Sequence, residues 1–530
     1  MKRSDRNRIQ VMDTTLRDGE QTPDVAYSPA EKLQLARLLL ADLGVDRIEI
    51  ASSRVSKGER EAARRITDWA RKQRMLPRVE ILGYCDGRSS ADWIIGTGGR
   101  VFNLLLKGSE RHCRGQLGMT PEQHRDAVAQ TIRYARRKRL RVNPYLEDWS
   151  NGVRDSFDYV FSMVQTLREL GIQRIYLPDT LGILSPADVT RYVGLMTETW
   201  PDLDFEFHAH NDYGLSTANC LAAVQAGARG VHTSVNGMGE RTGNTCLAEI
   251  VAALHDHTPF RTGVVESRLA FVSRLVETFS GKDVAANTPI VGRDVFTQTA
   301  GIHADGDAKG DLYASRLTPA RFAQRRRYAL GKLSGKASLD HNLKSLGIEL
   351  RPENRELVLQ RIIELGDRKH TVKTEDLPYI IADILKTPEE QRVRVVSYEV
   401  TVATGEAPRA QVELAYHRRA ASASATGDGG YDAFMNALRQ AARKLGLAVA
   451  RLEDYRVRIP PGGRTAALVE TLITWKSELY GEETFSTLGV DPDQLAAAVI
   501  ATEKMLNALV SRAASSARVA KRGRRKAARA

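Results

Sequence analysis

The sequence predicts an α/β protein that opens with a closed (β/α)₈ barrel and continues into a mostly helical linker and a C-terminal α+β domain. Three observations predict it. From residue 9 to about 257, short apolar runs alternate with amphipathic helical stretches. Parallel strands need crossover connections, so this alternation implies a parallel sheet. Eight such repeats fill the roughly 250 residues that a (β/α)₈ unit occupies. Polar residues also gather at one end of run after run, and a barrel carries its chemistry at the C-terminal ends of its strands. A doubly wound open sheet is the rival architecture.

The eight strands are read at residues 9–18, 45–52, 79–85, 101–107, 142–148, 174–180, 204–212 and 230–239. The first helix opens with Ser28-Pro29-Ala30-Glu31 and runs through Leu33, Leu35, Leu38, Leu39, Leu40 and Leu43 to Gly44. Serine caps, proline fits the first turn, Glu31 completes a capping box, and glycine ends the helix. Thr120-Pro121-Glu122 and Ser185-Pro186-Ala187-Asp188 open later helices in the same way. The barrel domain is placed at 1–270 and a helical linker at 271–390. A regulatory or dimerisation domain follows at 391–510, with strands at 393–403, 454–459 and 466–475 and helices at 431–445 and 492–511. Residues 511–530 read as a disordered basic tail.

Composition narrows the class. The chain has 530 residues, 42% hydrophobic and 27% charged, which is ordinary for a globular protein of several domains. The net charge of +13 invites a nucleic-acid reading. However, the last 20 residues hold eight Lys or Arg, no acid and no aromatic residue, so most of that excess belongs to the tail. The four cysteines lack CxxC spacing, which argues against a zinc knuckle or a disulfide framework. The start of the chain is polar, without the apolar run of a secretory signal. The most apolar segment, 33–43, is broken by Gln34, Arg37 and Asp42, so a membrane span is not expected. A cytoplasmic setting is expected.

The strand ends carry Arg17 and Asp18, Asp86, Lys107, Glu147 and Asp148, Asp179 and Thr180, then His208, His210, Asn211 and Asp212, and lastly Asn236. On a strand, residues two apart face one side, so His208 and His210 aim at one point. Asp18 offers a third, anionic ligand. Two imidazoles and a carboxylate suit Zn²⁺, Mn²⁺ or Co²⁺, and Mg²⁺ less well. Arg17 points away from Asp18 if the strand stays regular, so the strand end must bend for both to reach the mouth. There, a guanidinium could hold an anionic oxygen; the plainer reading is a barrel-wall salt bridge. Neither GxGxxG nor GK[ST] is present, so nucleotide binding by those devices is not supported.

Asp13-Thr14-Thr15-Leu16-Arg17-Asp18-Gly19-Glu20-Gln21 resembles the first-strand motif of the isopropylmalate/homocitrate/citramalate synthase family, within the DRE-TIM metallolyase superfamily. The motifs at 208–212, 237–244 (GMGERTGN) and 301–306 (GIHADG) match that family in order. The resemblance covers about residues 9 to 510. It implies an acyltransferase that condenses acetyl-CoA with a small 2-oxoacid and then hydrolyses the CoA thioester. It further implies Asp18, His208 and His210 as ligands of one divalent metal, with Asn244 close by. Arg17 and Thr180 would bind the keto acid. Glu147 and His303 would be the acid/base candidates, supported by Asp305 and Tyr313. A homodimer is implied, because in the family the region carrying His303 reaches the partner's barrel.

Segments 81–84, 102–105 and 145–150 resemble the branch whose keto acid is pyruvate. By that likeness Leu82, Leu105 and Tyr145 line the side-chain pocket, where a bulky tyrosine leaves room for a methyl group and obstructs an isopropyl group. The expected product is (R)-citramalate, on the way to isoleucine. The alternative is 2-oxoisovalerate and isopropylmalate. Isoleucine is the expected feedback inhibitor, with Tyr431, Asp432, Leu452, Tyr455, Ile459 and Val469 as its contacts. Two further rivals are a lyase with the same barrel and a scaffold acting through the basic tail. Asp311 stands where relatives tend to carry Asn.

Overall fold

The computed structural model describes residues 7–527 apart from 311, 347, 368–371, 373, 385–392, 459–468 and 482–483. The chain forms two compact units, one of residues 1–296 with 315–325, the other of 297–314 with 326–530.

In the first unit the elements alternate as predicted. They are β1 (Gln10–Asp13), α1 (Pro29–Arg37), β2 (Arg47–Ser52), α2 (Lys57–Lys72), β3 (Val79–Tyr84), α3 (Ser89–Gly96), β4 (Val101–Lys107), α4 (Glu110–Gly115) and α5 (Pro121–Arg137). Then come β5 (Arg141–Glu147), α6 (Trp149–Asp155), α7 (Phe157–Glu169), β6 (Arg174–Asp179), α8 (Pro186–Thr199), β7 (Asp204–Ala209), α9 (Ser216–Gln225), β8 (Gly230–Thr233), α10 (Leu247–His257) and α11 (Leu269–Ser280). The strands close in sequence order, all parallel, with Gln10 of β1 opposite Gly230 of β8.

The three predicted helix starts are capping boxes: Ser28 with Glu31, Thr120 with Gln123, and Ser185 with Asp188. The first helix ends in a π-helical turn, Leu38–Leu43, with Gly44 left-handed at φ 80°. Its leucines Leu35, Leu39, Leu40 and Leu43 are buried.

Three strands stop three or more residues earlier than predicted. β1 ends at Asp13, because the N–H groups of Arg17, Asp18 and Gly19 all turn back to the Thr14 carbonyl at 3.0, 2.8 and 3.0 Å. β7 ends at Ala209 and β8 at Thr233, where the chain enters a 3₁₀ turn with Asn236 at φ 59°. In each case the motif that reads as strand continues as the loop that bears polar groups.

Side chains from several strands meet inside the barrel. Met12, Leu82, Tyr145 and Tyr176 form one apolar cluster, with Leu105 packed against it. Beside them lies a buried polar network: Arg47 pairs with Glu80 at 3.0 Å and with Glu206, and donates to the Tyr176 hydroxyl at 2.7 Å. An interior ion pair costs desolvation, which mutual attraction and further hydrogen bonds offset.

The second unit begins with β9 (Thr297–Gln298), α12 (Gly301–Ala308) and β10 (Arg327–Tyr328), followed by α13 (Lys336–Leu346), α14 (Pro352–Asp367) and α15 (Leu377–Ile384) around their own core. Two βββα modules complete it. One is β11 (Arg394–Thr401), β12 (Arg409–Tyr416), β13 (Arg419–Thr426) and α16 (Gly430–Leu445); the other is β14 (Arg451–Arg458), β15 (Val469–Lys476), β16 (Thr484–Asp491) and α17 (Gln494–Ala527). The sequence reading finds three of these six strands. It misses β13, RAASASAT, because small side chains supply little of the alternation and β-propensity that mark a strand. The tail expected to be disordered from 511 instead continues α17 to Ala527; alanine, arginine and lysine are strong helix formers. Among the described residues no helix is long and apolar enough to cross a membrane.

Candidate metal and acceptor site

The early end of β1 is what assembles the site. The turn after Asp13 carries both Arg17 and Asp18 to the barrel mouth, so neither has to point away from it. Asp18 Oδ2 lies 3.1 Å from His208 Nε2 on β7, and the His208 and His210 rings are 5.2 Å apart. Potential ligand atoms of Asp18, His208 and His210 all lie within 4.8 Å of one another, and all three residues are buried.

The donor set fits a divalent cation. Burial alone would raise the Asp18 pKa, but the Arg17 guanidinium and the two imidazoles hold it far below the usual carboxylate range. Burial pushes His210 down to about 4, against the pull of Asp18, so its imidazole is neutral near pH 7. Among the described residues, three buried polar atoms here have no hydrogen-bond partner: His208 Nδ1, His210 Nδ1 and Asn244 Oδ1. Unpaired buried acceptors are costly unless something else satisfies them.

Asn244 stands beside His210 through a backbone bridge, and its Nδ2 donates to the Met238 carbonyl at 2.9 Å. The glycines of 237–243 allow this approach. A Cβ on Gly243, at φ 85°, would lie 1.8 Å from the Gly237 oxygen.

Arg17 makes a wall ion pair and also borders the Asp18 side of the cluster. Its Nε donates to Glu49 at 2.5 Å, and a terminal nitrogen lies 3.3 Å from Asp18. Its Cζ sits 5.9 Å from the centre of the Tyr145 ring. Tyr145 meets His208 edge-on at 5.9 Å, so the tyrosine ring borders both the ligand cluster and Arg17. Leu82 is 4% exposed in the same cluster, and Leu105 is partly buried against it.

Glu147 ends β5 and forms a close ion pair with Lys107 at the end of β4. The Thr180 hydroxyl accepts from the Asp148 N–H at 2.9 Å, and the Thr180 carbonyl accepts from Arg241 at 2.8 Å. Arg241 in turn grips Asp212 with two bonds of 2.8 and 2.9 Å.

Other strand-end polar residues have structural work. Asp86 caps the start of α3 through Ser90, and Asn211 accepts from Ser216 at the start of α9. Asp179 accepts from the N–H groups of Ile183 and Leu184, and Asn236 exchanges bonds with Ser273 of α11. The ring of polar strand ends is therefore part site and part loop scaffold.

His303, Asp305 and Tyr313 belong to the second unit. The His303 and Tyr313 rings are 4.3 Å apart, Asp305 pairs with Lys309 at 2.6 Å, and Tyr313 lies so close to Gly306 that a Cβ there would be 2.5 Å from its ring. Asp311 and Ile459 lie outside the described residues. In the βββα modules Tyr431 and Tyr455 come together at 5.1 Å, and the Tyr431 hydroxyl meets that of Thr502 at 2.7 Å. Leu452 and Tyr455 pack on the module core, and Val469 is buried. Asp432 is exposed and accepts from the Asp428 N–H at 3.1 Å.

Comparison with known proteins bears on this arrangement. Residues 8–276 match the HMGL-like family model. The chain belongs to the HMGL-like family. Residues 290–370 match the homocitrate synthase post-HMGL domain, and residues 371–510 the LeuA allosteric (dimerisation) domain. Three relatives within this family carry three different names. An (R)-citramalate synthase of Methanocaldococcus jannaschii is 32% identical over 95% of this chain and 100% of its own. A 2-isopropylmalate synthase of the same organism is 32% identical over 96% and 95%. A homocitrate synthase of Methanopyrus kandleri is 36% identical over 71% and 92%. The chain is thus an enzyme of the synthase type within the HMGL-like family, and similarity of this size does not separate the three names.

The sequence reading missed Glu49, Glu206, His232 and Arg47. All four are buried inside the barrel. Their signal is polar residues two apart within apolar strands, as in Arg47 and Glu49, or Glu206 and His208.

Proposed function

We propose that this enzyme condenses acetyl-CoA with pyruvate and hydrolyses the resulting thioester, giving (R)-citramalate and CoA. Condensation of acetyl-CoA with a 2-oxoacid rests on membership of the synthases, and the choice of pyruvate rests on one observation. Tyr145 fills the space beside His208 and Arg17 with a buried ring, backed by Leu82. A methyl group fits beside such a ring more readily than an isopropyl group, and steric exclusion discriminates more strongly than a missing methylene.

Asp18, His208 and His210 would hold the divalent metal, with Asn244 adjacent; Mn²⁺, Zn²⁺ and Co²⁺ suit this donor set better than Mg²⁺. The metal supplies Lewis-acid polarisation of a carbonyl. Arg17 binds the keto acid and stabilises the alkoxide oxygen that develops on its carbonyl. Thr180 holds the carboxylate. A base, Glu147 or His303, takes a proton from the acetyl methyl group; Asp305 and Tyr313 support His303. The methyl carbon then bonds to the keto carbon, and the alkoxide is protonated. Water finally cleaves the thioester, releasing CoA. The LeuA domain supports assembly as a homodimer, with isoleucine as feedback inhibitor bound near Tyr431, Asp432, Leu452, Tyr455, Ile459 and Val469.

The test is release of free CoA from acetyl-CoA with Mn²⁺ and either pyruvate or 2-oxoisovalerate. Release with pyruvate and little with 2-oxoisovalerate is expected. The reverse would make the enzyme an isopropylmalate synthase and overturn the pocket argument.

A further inference from the structure

The Tyr145 hydroxyl has one hydrogen-bond partner among the described residues, and that partner is a buried histidine. It is His232 Nδ1 on β8, at 3.0 Å. The other ring nitrogen, Nε2, lies 3.2 Å from Glu206 Oε2 on β7. Glu206 is itself paired with Arg47 of β2 and, at 2.8 Å, with Arg174 of β6. Glu206 and His232 are each 1% exposed and Tyr145 is 3% exposed, so water does not compete for these bonds.

The chemistry of the chain fixes its direction. A carboxylate has no hydrogen to give, so the hydrogen between His232 and Glu206 sits on Nε2. Arg47 and Arg174 together already balance the charges of Glu206 and Glu80, and nothing calls for a third cation on the imidazole. A neutral ring protonated at Nε2 carries a bare lone pair at Nδ1. The Tyr145 O–H must donate to it. The tyrosine is therefore tied by its far end, and its ring is what borders Arg17 and His208.

We propose that His232 is a positioning residue for keto-acid selectivity: the Glu206–His232–Tyr145 chain pins the tyrosine and so sets the room its ring leaves beside His208 and Arg17. This inference rests on the function proposed above. Released from His232, the tyrosine can take another staggered rotamer, and the pocket opens toward larger side chains. Loss of one buried hydrogen bond corresponds to a change of about three- to tenfold.

The experiment measures kcat/KM for pyruvate and for 2-oxoisovalerate with full-length wild type, His232→Leu, His232→Asn, Tyr145→Phe and the Leu/Phe double variant. His232→Leu is expected to lower the pyruvate preference about tenfold, mainly through KM for pyruvate. His232→Asn keeps an acceptor near the Nδ1 position and should retain most of the preference. On a Tyr145→Phe background the leucine change should do nothing more. A wild-type preference in His232→Leu, or an equal fall in kcat for both acids, would overturn the proposal. If His232→Leu does not fold, Tyr145→Phe decides, since an unchanged preference there also overturns it. A ¹⁵N-histidine NMR spectrum, assigned by difference with His232→Asn, should show the Nε2–H tautomer. An Nδ1–H tautomer overturns the inference even in an enzyme that converts neither keto acid, whereas absence of turnover with the Nε2–H tautomer present refutes only the proposed reaction.

Discussion

His208 Nε2 lies 3.1 Å from Asp18 Oδ2, although the histidine comes from β7 and the aspartate from the turn after β1. That closeness exists because β1 stops at Asp13 and the Thr14 carbonyl gathers the next N–H groups into a turn. Removing one corner of the cluster should therefore remove metal binding. His210→Ala is expected to weaken Mn²⁺ binding by more than the roughly 10–100-fold that outer-shell changes cost. Calorimetric titration checks this, and wild-type affinity in the variant would place the metal elsewhere.

Arg17 holds Glu49 and Asp18 through different nitrogens of one guanidinium. Lysine keeps the charge and loses that geometry. Arg17→Lys should lower kcat/KM about 100-fold while leaving thermal stability within a few degrees. A loss of stability as large as the loss of activity would make Arg17 chiefly a wall residue.

Gly243 sits at φ 85°, and any Cβ would meet the Gly237 carbonyl. Gly243→Ala should destabilise the first unit by roughly 2–3 kcal/mol and displace Asn244 from His210. Denaturant melts report the first effect and weaker metal binding the second. Wild-type stability would show that the loop relaxes freely.

Asp13 is buried at the end of β1. Burial pushes its carboxyl up to about 7, opposed by hydrogen bonds from Thr15. A raised carboxyl pKa favours the protonated folded state, so its contribution to stability is complete below about pH 4 and is lost as pH rises through about 7. Asp13→Asn keeps an acceptor for the Thr15 N–H and cannot ionise. Its urea midpoint relative to wild type should therefore be more favourable at pH 8 than at pH 5. A difference that does not change with pH would count against a strongly raised pKa.

Much of this was legible in the sequence because it is local. Capping boxes at Ser28, Thr120 and Ser185 depend on residues three apart, and barrel strands announce themselves as apolar runs between amphipathic helices. The aim of His208 and His210 at one point follows from strand periodicity alone. Where the pattern faded, as in the Ala- and Ser-rich β13, the strand went unseen, since pairing with β12 rather than its own side chains makes it a strand.

What the sequence by itself determined is therefore the alternation and order of the eight strand and helix units and the presence of residue types able to ligate a metal, each set by short-range periodicity and donor chemistry. Only the tertiary structure decided which polar strand ends cap loops and which face the site. It alone joined Arg17 to Glu49, and Tyr145 through His232 to Glu206. Those contacts run between strands far apart in the chain, and barrel closure, which no local pattern encodes, is what brings them within hydrogen-bond reach.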